Sequence, residues 1–105
     1  MNGPEQCQSM AEVRAGVDVL DDEIVRLLAR RFRFMDAAAR IKPVRGDVRD
    51  EERKAEVLAR VRSKAKQLGA PENSVVCVYD ALIEASIAYE LDRFDERSTS
   101  AMQLK

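Results

Sequence analysis

Between residues 10 and 41, apolar side chains recur every three or four positions: Met10, Val13, Val17, Leu20, Ile24, Leu27, Phe34, Ala38 and Ile41. That period places them on one face of an α-helix. It predicts a single helix of roughly 33 residues, about 50 Å long at 1.5 Å per residue. Ser9, with Glu12 three positions on, has the spacing of a capping box at its start. Pro43 ends it, because proline drives the preceding residue out of the helical region. Residues 1–9 read as an irregular lead and residues 43–49 as a loop.

A second helix begins after Asp50, a good N-cap, with Glu51 and Glu52 near its positive end. Val57, Leu58, Val61, Ala65 and Leu68 carry it to Gly69, and GAPEN (69–73) is a turn. A third helix starts between Glu72 and Ser74. Its stripe runs through Val75, Tyr79, Leu82, Ile83 and Tyr89, and its expected end is near Asp95. Residues 96–105 are expected to form a disordered tail. Neither repeats nor strand-like alternation are present, so the chain reads as one all-α domain spanning 1–105 with three helices. The first helix looks about twice as long as the others, which are nearer 27–33 Å. Within one subunit its stripe would stay uncovered, and a symmetric dimer of paired long helices is the simplest remedy.

The same wheel shows which charges point inward. With Val13 at 0° and 100° per residue, Arg31 falls at about 0° and Lys42 at about 20°, in the middle of the apolar stripe. Arg26, Arg30, Arg33 and Arg40 point outward, where Asp22–Arg26 and Asp36–Arg40 have the spacing of i,i+4 surface pairs worth a few tenths of a kcal/mol. On the second helix, Lys54 lies near the centre of the stripe and Arg53 on its flank. On the third, Ser86 and Glu90 lie inside the stripe and Arg93 lies close to it. A buried cation without a partner costs several kcal/mol. Either Arg31, Lys42, Arg53 and Lys54 pair with Asp18, Asp21, Asp50 or Glu90, or they face an anionic ligand. Arg31 and Lys42 are roughly 16 Å apart along a helix, within reach of one small dicarboxylate. Arg14 and Arg31 are roughly 25 Å apart and meet on one ligand only if Arg14 comes from an antiparallel second copy.

Composition narrows the chemistry. The net charge of −1 over 105 residues gives no bulk attraction for nucleic acid, although RIKPVRGDVRDEERK (40–54) is dense in Arg and Lys. The chain has no His, and Cys7 and Cys77 form no CxxC motif, so no metal or cofactor is expected. The two thiols read as reduced, in a cytoplasmic protein. The start MNGPEQCQSM lacks the features of a signal peptide, and no apolar run is long enough to span a membrane.

Four stretches together resemble the all-helical chorismate mutase family: RAGVDVLDDEIVRLLARR (14–31), AARIK (38–42), VRDEER (48–53) and EASIAYE (84–90). The lead PEQC and the RIKP junction are similar to the related isochorismate-pyruvate lyases. The resemblance covers about residues 4–97. It implies an intertwined homodimer of three helices per subunit, with each site built from both chains. By the same resemblance, Arg14 comes from the partner and holds one substrate carboxylate, and Arg31 holds the same or the second one. Lys42 approaches the ether oxygen and a carboxylate, Asp50 meets the substrate hydroxyl, Arg53 contacts the ring-side carboxylate, and Ser86 lies nearby. Many members have Gln where this chain has Glu90, and Glu where it has Lys54.

The implied reaction, chorismate to prephenate, is a concerted rearrangement that needs neither nucleophile nor cofactor, which suits a chain without His. Arginines position the dianion. Lys42 and Glu90 stabilise the negative charge that develops at the ether oxygen, Glu90 donating only when protonated. The substrate is a small molecule, with no nucleic acid and no membrane. The rivals are an isochorismate-pyruvate lyase making salicylate, and a non-catalytic helical interaction or sensor module.

Overall fold

The computed structural model describes residues 3–103, with side chains to residue 97. Three α-helices follow one another: α1 (Met10–Ile41), α2 (Glu51–Leu68) and α3 (Glu72–Gln103). Short 3₁₀ turns occupy Pro4–Gln6 and Arg45–Asp47, and no strand occurs among the described residues. The all-α expectation holds.

Each helix boundary has a local cause. The Ser9 hydroxyl accepts from the Glu12 amide at 3.2 Å, satisfying one of the unpaired N–H groups of the first turn. α1 stops at Ile41, two residues before Pro43. The Asp50 carboxylate accepts from the Arg53 amide at 3.0 Å and starts α2. Gly69 ends α2 with φ of 72°, a left-handed conformation that favours glycine. Ala70 N–H then bonds Ala65 O at 2.8 Å and Gly69 N–H bonds Lys66 O at 3.3 Å, which closes the helix end.

The third helix differs from expectation. α3 does not stop near Asp95 but runs 32 residues to Gln103, the same length as α1. RSTSAMQ contains no Gly or Pro to break it. The expected disordered tail is helical as far as Gln103, and its last two positions, 104 and 105, lie outside the described residues. α1 and α3 are equal in length, so the expected mismatch between them gives no reason for a dimer.

The chain divides into two compact units, Met1–Phe34 and Met35–Lys105. In the first, Val13, Val17, Leu20, Ile24 and Leu27 are each 38–59% exposed, although they form the clearest apolar stripe in the sequence. Pro4 and Cys7 of the lead line an apolar groove of about 290 Å³ with Val13, Gly16, Val17 and Leu20.

In the second unit α2 packs on α3. A core cluster joins Ala39, Val48 and Phe94, with Ile87 and Leu91 against it. Ala65 of α2 and Ile83 of α3 are also buried. At the end of α1 the inward position is Ala39, while Phe34 and Ile41 of the expected stripe are exposed. A stripe read at 100° per residue drifts over so long a helix. Leu68, at the other end of the α2 stripe, is exposed as well.

Candidate functional site

Among the described residues, the buried face of α3 carries two polar side chains among its apolar ones, Ser86 and Glu90, each less than 5% exposed. They are four residues apart and so lie one above the other. The Ser86 hydroxyl donates to Leu82 O one turn back, at 2.7 Å. Glu90 receives the Lys42 ammonium on Oε2 at 2.7 Å. Lys42 is half-buried and sits at the junction of α1 and the loop, where its amide still donates to Ala38 O at 2.9 Å. A cation from the end of α1 thus meets a carboxylate in the middle of α3, across 48 residues of sequence. Of the pairings open in the sequence, this is the one the fold selects for Lys42.

The other cations of residues 40–54 take different partners. Arg45 grips Asp95 with two donors, at 2.9 and 3.4 Å. Arg53 is exposed and reaches Glu56 on its own helix at 3.2 Å. Lys54 bonds Glu84 at 2.9 Å and Asp80 at 3.0 Å. Arg49 shares Glu84, donating to its two oxygens at 2.7 and 3.2 Å, and also bonds Glu51. Neither Arg53 nor Lys54 pairs as the sequence suggested. Asp80 and Glu84 are one helical turn apart on α3 and face α2. That spacing is the signal by which sequence reasoning could have found them. Asp50 caps α2, leaving one carboxylate oxygen beyond that bond.

Asp36 does not close on Arg40 as expected. It accepts from the Tyr89 hydroxyl at 2.6 Å and from Arg93 at 3.0 Å. The Tyr89 hydroxyl, helped by Arg93, lowers the Asp36 carboxyl below the usual carboxylate range. Arg93, close to the α3 stripe, also bonds Glu96 at 2.8 Å.

Lys42, Asp50, Arg53, Lys54, Ser86 and Glu90 belong to the second unit, Arg14 and Arg31 to the first. Arg14 is exposed and Arg31 half-buried.

The Glu84 brace has a pH signature. Hydrogen bonds from Arg49, then from Lys54, lower its carboxyl from the ordinary 4.5 to about 2. A depressed folded value contributes stability that is present above the unfolded value and lost as pH falls through the folded one. Glu84→Gln is therefore expected to cost stability near neutrality, and progressively less as pH drops from about 4.5 towards 2. Urea unfolding of both proteins near neutrality and near pH 3 measures this. An equal penalty at both would remove Glu84 from the acid linkage.

Among the described residues no group of His, Cys, Asp and Glu has the arrangement of a metal site, and no helix is long and apolar enough to cross a membrane. What the second unit offers is a half-buried ammonium on a buried carboxylate, next to a buried hydroxyl. Glu90 balances the charge of Lys42, and the ammonium has donors beyond the one Glu90 takes, so the set can donate to a further oxygen.

Comparison with known proteins adds family context. A model of the family described as chorismate mutase type II matches residues 13–91. The chorismate mutase of Methanocaldococcus jannaschii is 29% identical over 90 residues, covering 85% of this chain and 91% of that protein. The isochorismate pyruvate lyase of Pseudomonas aeruginosa is 30% identical over 91 residues, covering 87% of this chain and 90% of that protein.

Proposed function

The chain belongs to the chorismate mutase type II family, and from that membership we propose that it is an isomerase converting chorismate to prephenate. The observation that carries the reading is the Lys42–Glu90 pair at 2.7 Å, beside Ser86 on the buried face of α3. The rearrangement needs a dianion held in its reactive shape and donors at the oxygen whose bond to carbon breaks. Lys42 supplies the cation there, and such a group counts most where water is excluded. Arg31, Arg14 and Arg53 hold the two carboxylates, and Asp50 takes the substrate hydroxyl with the oxygen not used in capping α2. Lys54 is the weakest member of the set, since Asp80 and Glu84 already bind its ammonium.

Glu90 accepts from Lys42 on the buried face of α3. Glu90→Gln keeps the length of the side chain and replaces an acceptor with an amide that can donate. The variant is expected to match or exceed the unsubstituted protein in kcat for chorismate, measured by steady-state kinetics at neutral pH. A loss of about tenfold or more would take Glu90 out of the donor role.

The active form we propose is a homodimer with shared sites, in the cytoplasm. The exposed apolar stripe of the first unit supports the dimer, because a stripe of that length left in water favours association. The free thiols Cys7 and Cys77 suit a reducing compartment.

The lyase reading has its own support. Identity to the Pseudomonas lyase, 30%, is no lower than the 29% to the Methanocaldococcus mutase, and Lys54 stands where many mutases carry Glu. Incubation with chorismate and, separately, with isochorismate decides between them. Prephenate from the first supports the mutase, and salicylate with pyruvate from the second supports the lyase. Binding of either without turnover would leave an interaction module.

A further inference from the structure

The end of α1 is held by a residue from the far part of α3. The last turn of any helix leaves carbonyls without an N–H partner. Here the Arg97 guanidinium supplies donors: Nη1 to Ala39 O at 2.8 Å and to Arg40 O at 2.9 Å, and Nη2 to Pro43 O at 3.4 Å. Those three carbonyls bracket Lys42. Arg97 is itself fixed, because its guanidinium stacks on the Phe94 ring at 4.0 Å from the centroid, and Phe94 is part of the core with Ala39 and Val48. Two residues earlier on α3, Asp95 holds Arg45 on the far side of the same bend.

We propose that Arg97 is a positioning residue for Lys42. By tying the carbonyls on both sides of Lys42 to the core of α3, it fixes the backbone from which the ammonium reaches Glu90. The planar fork suits this task, since one guanidinium serves several acceptors in a set geometry and stacks on an aromatic ring. A lysine there would keep the charge beside the helix terminus and lose the fork. The proposal rests on the reading above, in which Lys42 acts on the breaking bond.

Two measurements test it. The first needs no substrate: in Arg97→Ala, amide exchange at Lys42, Asp47 and Val48 is expected to be about tenfold faster, with exchange in the middle of α2 unchanged. Unchanged exchange around Lys42 overturns the clamp, whatever the protein catalyses. The second uses chorismate. Arg97→Ala is expected to lower kcat about 10- to 100-fold, the size of effect that ångström-scale misplacement produces, with KM within about threefold. Arg97→Lys, which keeps the charge and is the milder change for folding, should fall between the two proteins. In a Lys42→Ala background the Arg97→Ala loss should vanish, because groups acting through one another are not additive. An equal loss in both backgrounds means that Arg97 supports the fold and not Lys42, and overturns the proposal. Absence of turnover by the unsubstituted protein would sink the functional reading instead, and the exchange experiment would still decide the clamp.

Discussion

Lys42→Ala is expected to lower kcat by on the order of 100-fold or more, the scale seen when a donor to a developing oxyanion is removed. Lys42 is half-buried, its ammonium lies 2.7 Å from a buried carboxylate, and it projects from the junction of helix and loop. Removing it takes away the cation proposed to act at the breaking bond and leaves Glu90 buried without that partner, which costs stability as well. Rate and stability are separable with a second change. Lys42→Ala combined with Glu90→Gln carries no buried charge at this position, so its unfolding midpoint should recover while its kcat should not. Steady-state kinetics and urea unfolding on the three proteins measure both. A single variant with near-normal kcat would remove Lys42 from the chemistry.

Arg31→Ala and Arg14→Ala are each expected to lose about 100-fold or more in kcat/KM, since each removes a cation proposed to hold a substrate carboxylate. Their mixture is more telling than either alone. If Arg14 serves the partner's site and Arg31 its own, a mixed dimer has one site lacking both residues and one site lacking neither. Random exchange makes half of the dimers mixed, so about a quarter of the original activity should return. Subunit exchange is followed independently with a tagged chain. No recovery after demonstrated exchange would mean that sites are not shared between chains.

Much of the fold was legible because its signals are local. Ser9, Pro43, Asp50 and Gly69 mark helix ends by side-chain or backbone chemistry that acts within a few residues, and each end falls where that chemistry places it. Ser86 and Glu90 were legible as inward polar residues because their position on α3 follows from its period alone, and both are buried. The failures lie where distant parts of the chain decide. The length of α3 was missed because RSTSAMQ is a weak helix former, and because the contacts of Arg97 lie more than 50 residues away in sequence. The partners of Lys54 were missed for a related reason. The wheel gave the direction of Lys54 but not which face of α3 lies opposite, and Asp80 and Glu84 occupy that face. The role proposed for Arg14 needs a second chain, which no periodicity encodes.

The bend after α1 also bears on how the family can diversify. Lys42 is bracketed by carbonyls anchored to Arg97 and is followed at once by Pro43, whereas Gly46 faces open space. Added or lost residues near Gly46 fall downstream of the carbonyls that hold Lys42, in a turn pinned by the exposed Arg45–Asp95 pair, while a single residue gained between Ile41 and Pro43 rotates the ammonium off α3. Across evolution, length change should collect on the downstream side of Pro43, and the spacing from Arg31 to Lys42 should stay invariant.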